Sequence, residues 1–319
     1  MEMTFEYWAK RWLSVSAYEV KETTHNEYVG GIRQLIIKFG DISIHELTPK
    51  FIQDYLNELF LNGKSKSTIN KKKYLIQQIY RYINLQGVSV PSPCALVKAP
   101  RMATQNTRRS LTEDEIKKII LNRYVKPFGF YAFCLLFLGL RRSEMMALCW
   151  EDIDFERELL HINKVVVYLN SKPTLNYVLK NGWREREIPI PDLLLFELKQ
   201  CVISEGSSIQ KKGFIFSDHP GKLMNENSIN RRWAIYRDAA ELPNITQHMV
   251  RHTYATLLHD ANIDVKAAAA LMGHRDERTT LIVYTHINKE KEAKKAVQQL
   301  NGYISEAFGN SSTTGNTSL

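Results

Sequence analysis

The sequence predicts a mainly α protein with a small antiparallel β-sheet, an α+β chain in two domains. Three observations carry that expectation. Apolar residues recur at helical spacing through the first hundred residues. Alternating β-branched runs, LLHINKVVVYLN and TLNYVLK-NG-WREREIPIP, occur in the second half. A proline-containing, aperiodic stretch lies between the two regions. At 319 residues the chain is long enough for two separate cores.

In the first region, TFEYWAKRWL keeps its apolar side chains at helical spacing. Thr24 and Glu27 have the spacing of a capping box ahead of an amphipathic run that ends near Gly40. Thr48-Pro49 supplies a cap and a proline at the first helical position, opening FIQDYLNELF. In KSKSTINKKKYLIQQIYRYINLQG, the residues Ile69, Leu75, Ile76, Ile79, Tyr80 and Ile83 form the stripe expected to be buried, with Gly87 as the stop. Lys64, Lys66, Lys71, Lys72 and Lys73 crowd the start of that helix. They suit either a solvated face or contacts to DNA phosphates.

The stretch VPSPCALVKAPRMATQNTRRS, residues 90–110, reads as interdomain connection. The domains expected from it are a helical domain at 1–100, a linker at 101–110 and a second domain at 111–308. Thr112 with Glu115 caps the first helix of the second domain. FGFYAFCLLFLGL, 128–140, is apolar all round but too short to span a bilayer, and reads as a core helix. Asn181-Gly182 is a strong hairpin signal, which puts Lys180 near a hairpin tip. Helical patterning returns from about Ser228 to about Phe308, and the small polar tail, 309–319, is expected to be disordered.

The formal charge is +9, with 15 Lys/Arg against 9 Asp/Glu in residues 1–108 and 28 against 25 thereafter. A basic surplus favours a polyanionic partner, nucleic acid being the commonest, though solubility alone also accounts for it. Four scattered cysteines without CxxC spacing fit a reducing compartment and argue against a disulfide framework or a cysteine zinc site. The start, MEMTFEYWAK, lacks the pattern of a signal peptide.

Four clusters in the second domain carry cationic or imidazole side chains. In GLRRSE, Arg141 lies beside a core helix, where a buried arginine needs an anion; Glu144, three residues on, or a bound phosphate would serve. Lys180 is the second. In QHMVRHTYAT, His248 and His252 have the spacing of a zinc pair. Arg251 stands between them, Met249 replaces the glutamate of a metalloprotease and no third ligand is evident, so no metal is expected. The fourth is LMGHRDERTTLIVYTH, with His274, Tyr284 and His286.

The order of these clusters resembles the tyrosine recombinase (phage integrase) family. The matching phrases are GLRRSE with LCWEDID, LKNGWREREIPIP, HMVRHTYATLL, LMGH and TTLIVYTH, and they cover most of residues 110–300. The helical first domain resembles the family's core-binding domain. The resemblance implies that Tyr284 attacks a DNA phosphodiester, forms a 3′-phosphotyrosyl link and frees a 5′-hydroxyl. It implies that Arg141 and Arg251 clamp the non-bridging oxygens and that His248 and His274 bond the same phosphate. Lys180 would protonate the departing oxygen, and Glu144 would orient its neighbours. His286 follows the family phrase but receives no role.

Residue chemistry agrees with these roles. A phenol of pKa about 10 is a weak nucleophile at neutral pH, and nearby cations both favour phenolate and offset charge building on phosphorus. Arginine's planar fork matches two phosphate oxygens. No cofactor and no metal are expected.

Two intervals, Lys180 to Pro189 and His274 to Tyr284, each run one residue longer than in many family members. Lys172 and Arg184 are therefore rivals to Lys180, as Arg142 is to Arg141. The partners implied are duplex DNA at attachment sites, clamped between the two domains, and further copies of the chain in a tetramer. An excisionase or a host DNA-bending protein is a candidate partner, and the location implied is the cytoplasm, at the nucleoid. The charged segment at 289–308 would dock on a neighbouring protomer. An arm-binding domain ahead of the core-binding helices, which many phage integrases carry, is not expected. The function expected is that of the integrase of a mobile element. A Xer-like dimer resolvase or a tyrosine-type topoisomerase shares the chemistry, and a non-catalytic DNA-binding regulator is the alternative of a different class.

Overall fold

Thr4 accepts a hydrogen bond from the Tyr7 N–H and so opens α1, Phe5–Glu19, whose Phe5, Trp8, Ala9 and Trp12 are buried. This computed structural model describes residues 3–102, 109–169, 172–177, 185–203, 212–219, 221–274 and 276–286, with 297, 300, 301 and 303. It divides the chain into two compact units, Met1–Thr107 and Arg108–Leu319. Lys180, Arg184, the Asn181-Gly182 turn and the 309–319 tail lie outside the described residues, as does most of 289–308.

The first unit continues with α2, Glu22–Phe39, α3, Pro49–Leu61, and α4, Lys66–Leu85. The Thr24–Glu27 pair does not start α2. The helix begins at Glu22, whose charge suits the positive helix end, so Thr24 lies within the first turn. Thr48 and Pro49 open α3, and Ser65 caps α4 by accepting from the Thr68 N–H. The α4 stripe is buried as its spacing predicts, with one addition, Lys72. Tyr80 crosses the core and donates to the Ile44 carbonyl at 2.8 Å.

The part of the 90–110 stretch before residue 100 is not loose connection. Val90, Cys94 and Val97 are buried in the core of the first unit. Asn84 bonds the Val90 backbone in both directions. The apolar residues spaced three to four apart in VPSPCALV explain why it packs.

The second unit opens with α5, Glu113–Leu121, capped reciprocally by Thr112 and Glu115. Then come the buried core helix α6, Gly129–Leu138, and the single turn α7, Arg142–Met145. Strands β1, Ile153–Asp154, β2, Leu159–Ile162, and β5, Arg186–Pro189, form an antiparallel sheet in the order β1-β2-β5. Strands β3, Lys164–Leu169, and β4, Lys172–Tyr177, pair with each other, Val166 opposite Leu175. The expected hairpin pairing therefore differs. β4 returns onto β3, and β5 crosses to β2, where Ile162 faces Arg186 and Leu160 faces Ile188. Helices α8, Asp192–Ile203, α9, Glu226–Ala239, α10, Gln247–Asp260, α11, Val265–Met272, and α12, Glu277–His286, complete the unit. α10 and α6 pack together in its core, and α12 lies against α10 and α11.

Candidate active site

Two glycine-capped helix ends build the floor of the site. α6 ends at Gly139 and α11 at Gly273, with φ of 57° and 65°, left-handed values that favour glycine. A Cβ at Gly139 would also collide with the Tyr254 ring, and one at Gly273 with the Arg186 guanidinium. Helix C-termini leave carbonyls without partners inside the helix and carry partial negative charge. Arginines use them here. Arg251, in the second turn of α10, donates from Nη1 to the Gly139 carbonyl at 2.6 Å and from Nη2 to the Met272 carbonyl at 2.8 Å. Arg141 donates from Nη2 to the Gly273 carbonyl at 2.9 Å.

Glu144 lies among these arginines and is 1% exposed. Its Oε2 accepts from the Arg141 backbone N–H at 2.8 Å and its Oε1 from Arg141 Nη1 at 3.2 Å. Arg186 donates to both carboxylate oxygens, each at 3.1 Å. Arg251 Nη1 stands 3.9 Å from Oε2. Burial pushes the Glu144 carboxyl pKa up, but Arg186 and then Arg141 outweigh burial and hold it below its ordinary value. Among the described residues, three guanidiniums against one carboxylate leave a surplus of positive charge.

That surplus faces a cavity of about 850 Å³ lined by Arg141, Arg142, Arg237, His248, Arg251 and His274. Thr246, Gln247 and His248, at the N-terminus of α10, line it too, so the positive end of a helix adds to the cations. Burial, then repulsion from Arg141, lowers Arg251 to about 9, which leaves it cationic at neutral pH. Burial, then Arg251, Arg141 and Arg186, lowers His274 to about 4, so its imidazole is neutral there. His274 Nδ1 lies 2.7 Å from the hydroxyl of the buried Thr280. When Thr280 donates in that bond, the ring proton sits on Nε2 and is available to an acceptor.

Arg141, His248, Arg251 and His274 thus meet at one cavity, with Glu144 behind them. Arg142 is engaged differently, with Glu226 at 2.5 Å and Asn230 at 3.4 Å. Lys172 starts β4, exposed and not among the cavity-lining residues. Tyr284, on α12, does not line the cavity either. Its hydroxyl donates to the Ile263 carbonyl at 3.4 Å and its ring meets His259 edge-on, centroids 4.9 Å apart. Burial, then Asp264, raises the phenol pKa, the reverse of an activated nucleophile.

The lysine row on α4 divides. Lys64 is exposed and Lys66 half-buried. Lys71 pairs with Glu27 at 3.1 Å in an exposed ion pair. Lys72 is a correction: it is buried and donates to the Gly31 carbonyl at 3.1 Å, because it falls on the stripe shared by Ile69 and Ile76. Lys73 donates to the Val97 carbonyl.

Sequence reasoning passed over Arg186 and Thr280. Arg186 carried a signal: it is two residues before Ile188, on the strand face that alternation assigns to the core, where an arginine requires an acidic partner. Thr280 carried none.

The pocket gathers Arg141, His248, Arg251 and His274 at the N-terminus of α10, a setting that suits an anionic group such as a phosphate. Residues 109–291 match the phage integrase family, and residues 4–60 match the N-terminal SAM-like domain of phage integrases. The chain therefore belongs to the phage integrase family, the tyrosine recombinases, a class of site-specific recombinases. It is 28% identical over 275 residues to a XerC-like tyrosine recombinase of Caldanaerobacter subterraneus subsp. tengcongensis, covering 78% of this chain and 70% of the relative. It is 26% identical over 295 residues to the integrase of Staphylococcus phage L54a, covering 82% of each. Among solved structures, the Tn1549 transposon integrase in complex with a circular intermediate DNA superposes with a TM-score of 0.74 at 22% identity, over 93% of this chain and 100% of that one. A lambda integrase tetramer bound to a Holliday junction superposes at 0.65 and 20% identity, over 86% of this chain and 79% of that one. The structural likenesses show the fold.

Proposed function

We propose that this chain cuts and rejoins duplex DNA as the integrase of a mobile element, in the cytoplasm. The observation that carries the reading is the convergence of Arg141, Arg251, His248 and His274 on one cavity at the N-terminus of α10. In this reading the scissile phosphate sits in that cavity. Arg141 and Arg251 hold its non-bridging oxygens, and His248 and neutral His274 donate to them. The Tyr284 oxygen gives up its proton to solvent water and attacks phosphorus, the bond to the 5′-oxygen breaks, and that oxygen takes a proton from Lys180. The phosphotyrosyl link conserves the bond energy, so rejoining needs no ATP. Tyr284 must first leave the Ile263 carbonyl and His259, which makes DNA-driven movement of α12 part of the reaction. The two-unit plan and the basic first unit fit a protein that grips duplex DNA, and the lambda neighbour supports action as a tetramer.

The XerC-like relative supports a second reading with the same chemistry, dimer resolution. One experiment addresses both. Fragmented genomic DNA from the source organism is incubated with the protein, SDS-resistant adducts are captured, and the DNA ends attached to protein are sequenced. Ends mapping to the borders of an inserted element support the integrase. A single chromosomal locus supports the resolvase, and no adduct defeats both. Tyr284→Phe should bind DNA without forming adduct, and Arg251→Ala should slow adduct formation on the order of 10²–10³-fold.

A further inference from the structure

Arg186 begins β5 on the face shared with Ile188, with its side chain 12% exposed. Every nitrogen of its guanidinium bonds within the protein. Nη1 and Nη2 grip the two oxygens of Glu144 at 3.1 Å each, and Nε donates to the Leu271 carbonyl at 3.3 Å. The guanidinium occupies the space beside Gly273 that any side chain there would fill. It does not line the cavity.

We infer that Arg186 is a positioning residue for strand cleavage, a fork that orients Glu144 and, through it, Arg141. The physical reason is competition for a buried carboxylate. Glu144 has two oxygens and three guanidiniums within reach. With Arg186 in place, both oxygens are held by a guanidinium that does not line the cavity. Without it, the cations left to the carboxylate are Arg141, which already bonds it, and Arg251, 3.9 Å away, and both face the cavity. The Leu271 bond ties the same fork to the end of α11, whose next carbonyls, Met272 and Gly273, hold Arg251 and Arg141. Arg186 therefore braces both supports of the arginine pair without touching substrate.

The inference rests on the cavity being the phosphate site. The probe is a nicked duplex whose sequence comes from the captured adducts. Parent, Arg186→Met, Arg186→Lys, Glu144→Gln and the Arg186→Met/Glu144→Gln double variant are compared for adduct rate at saturating protein, duplex Kd and melting temperature. Arg186→Met should slow the adduct step by about 10- to 100-fold, the scale of a misplaced catalytic group. Its Kd should stay within about twofold. Arg186→Lys keeps the charge but loses the fork and should recover only part of the rate. In the Glu144→Gln background the same Arg186→Met change should cost clearly less than in the parent, because only the Leu271 tie is then left to lose. Equal costs in both backgrounds overturn the inference, as does a rate loss matched by a rise in Kd. If Arg186→Met is unfolded at the assay temperature, Arg186→Lys decides: folded, with parental cleavage, it overturns the inference. Absence of adduct from the parent would instead defeat the phosphate-site reading, which separates the two failures.

Discussion

Arg251 reaches from α10 to the carbonyl of Gly139, 2.6 Å away at the end of α6, so a catalytic candidate is held by a helix terminus. The arrangement depends on a left-handed residue without a side chain at position 139, where a Cβ would enter the Tyr254 ring. Gly139→Ala should therefore cost at least about 2 kcal/mol, combining left-handed strain with displacement of a packed ring. Urea unfolding of the whole chain measures the loss, and a change below about 0.5 kcal/mol would contradict the packing described.

Glu144 supplies the only carboxylate within the Arg141, Arg186 and Arg251 cluster among the described residues. Glu144→Gln keeps the shape and removes the charge, leaving three guanidiniums facing one another. Breaking a buried pair in this way costs about 3–5 kcal/mol. Sulfate should restore part of that loss by entering the cavity beside Arg141 and Arg251, and should stabilise the variant more than the parent. Melting curves with sulfate and with chloride at matched ionic strength test this. Equal sulfate effects on both proteins would mean that the cavity does not bind anions through these arginines.

The pH response follows from His274. Its folded-state pKa, about 4, lies below the ordinary 6.5, so the unfolded chain takes up the proton first. The stability it contributes is full above about 6.5 and is lost as pH falls from about 6.5 toward about 4. Glu144, also held low, loses its contribution only below the ordinary carboxylate range. Urea midpoints at about pH 7 and about pH 5 should separate more in the parent than in His274→Gln. The same separation in both would assign the acid sensitivity elsewhere.

Much of the candidate site was legible because the chemistry constrains the residue types: an anion pocket needs cations and hydrogen-bond donors, and GLRRSE, HMVR and LMGH supply them at helix ends that patterning locates. The fold of the first unit was legible for a different reason, since Ile69, Ile76 and Ile83 repeat at helical spacing. What was not legible depends on long-range pairing. Nothing local says that β5 pairs with β2 rather than β4, so Arg186 could not be brought to Glu144, 42 positions away. Nor does periodicity distinguish a lysine that snorkels to solvent from one that bonds a carbonyl across a helix interface, so Lys72 looks like its neighbours in the sequence.

That difference within the lysine row gives the last prediction. Lys64 is exposed, Lys66 half-buried, and both stand at the start of α4, whereas Lys72 is buried against α2 through the Gly31 carbonyl. If the row binds DNA through phosphates, Lys64→Ala and Lys66→Ala should each lower the slope of log K against log salt by about 0.9, with stability within about 0.5 kcal/mol of the parent. Lys72→Ala should behave oppositely. It removes a buried stem and a hydrogen bond and should destabilise the first unit by about 1–3 kcal/mol, with the salt slope unchanged where the protein remains folded. Salt titrations of duplex binding beside urea melts separate the outcomes. A salt slope that falls for Lys72→Ala and not for Lys64→Ala would place the DNA contact on the opposite side of α4.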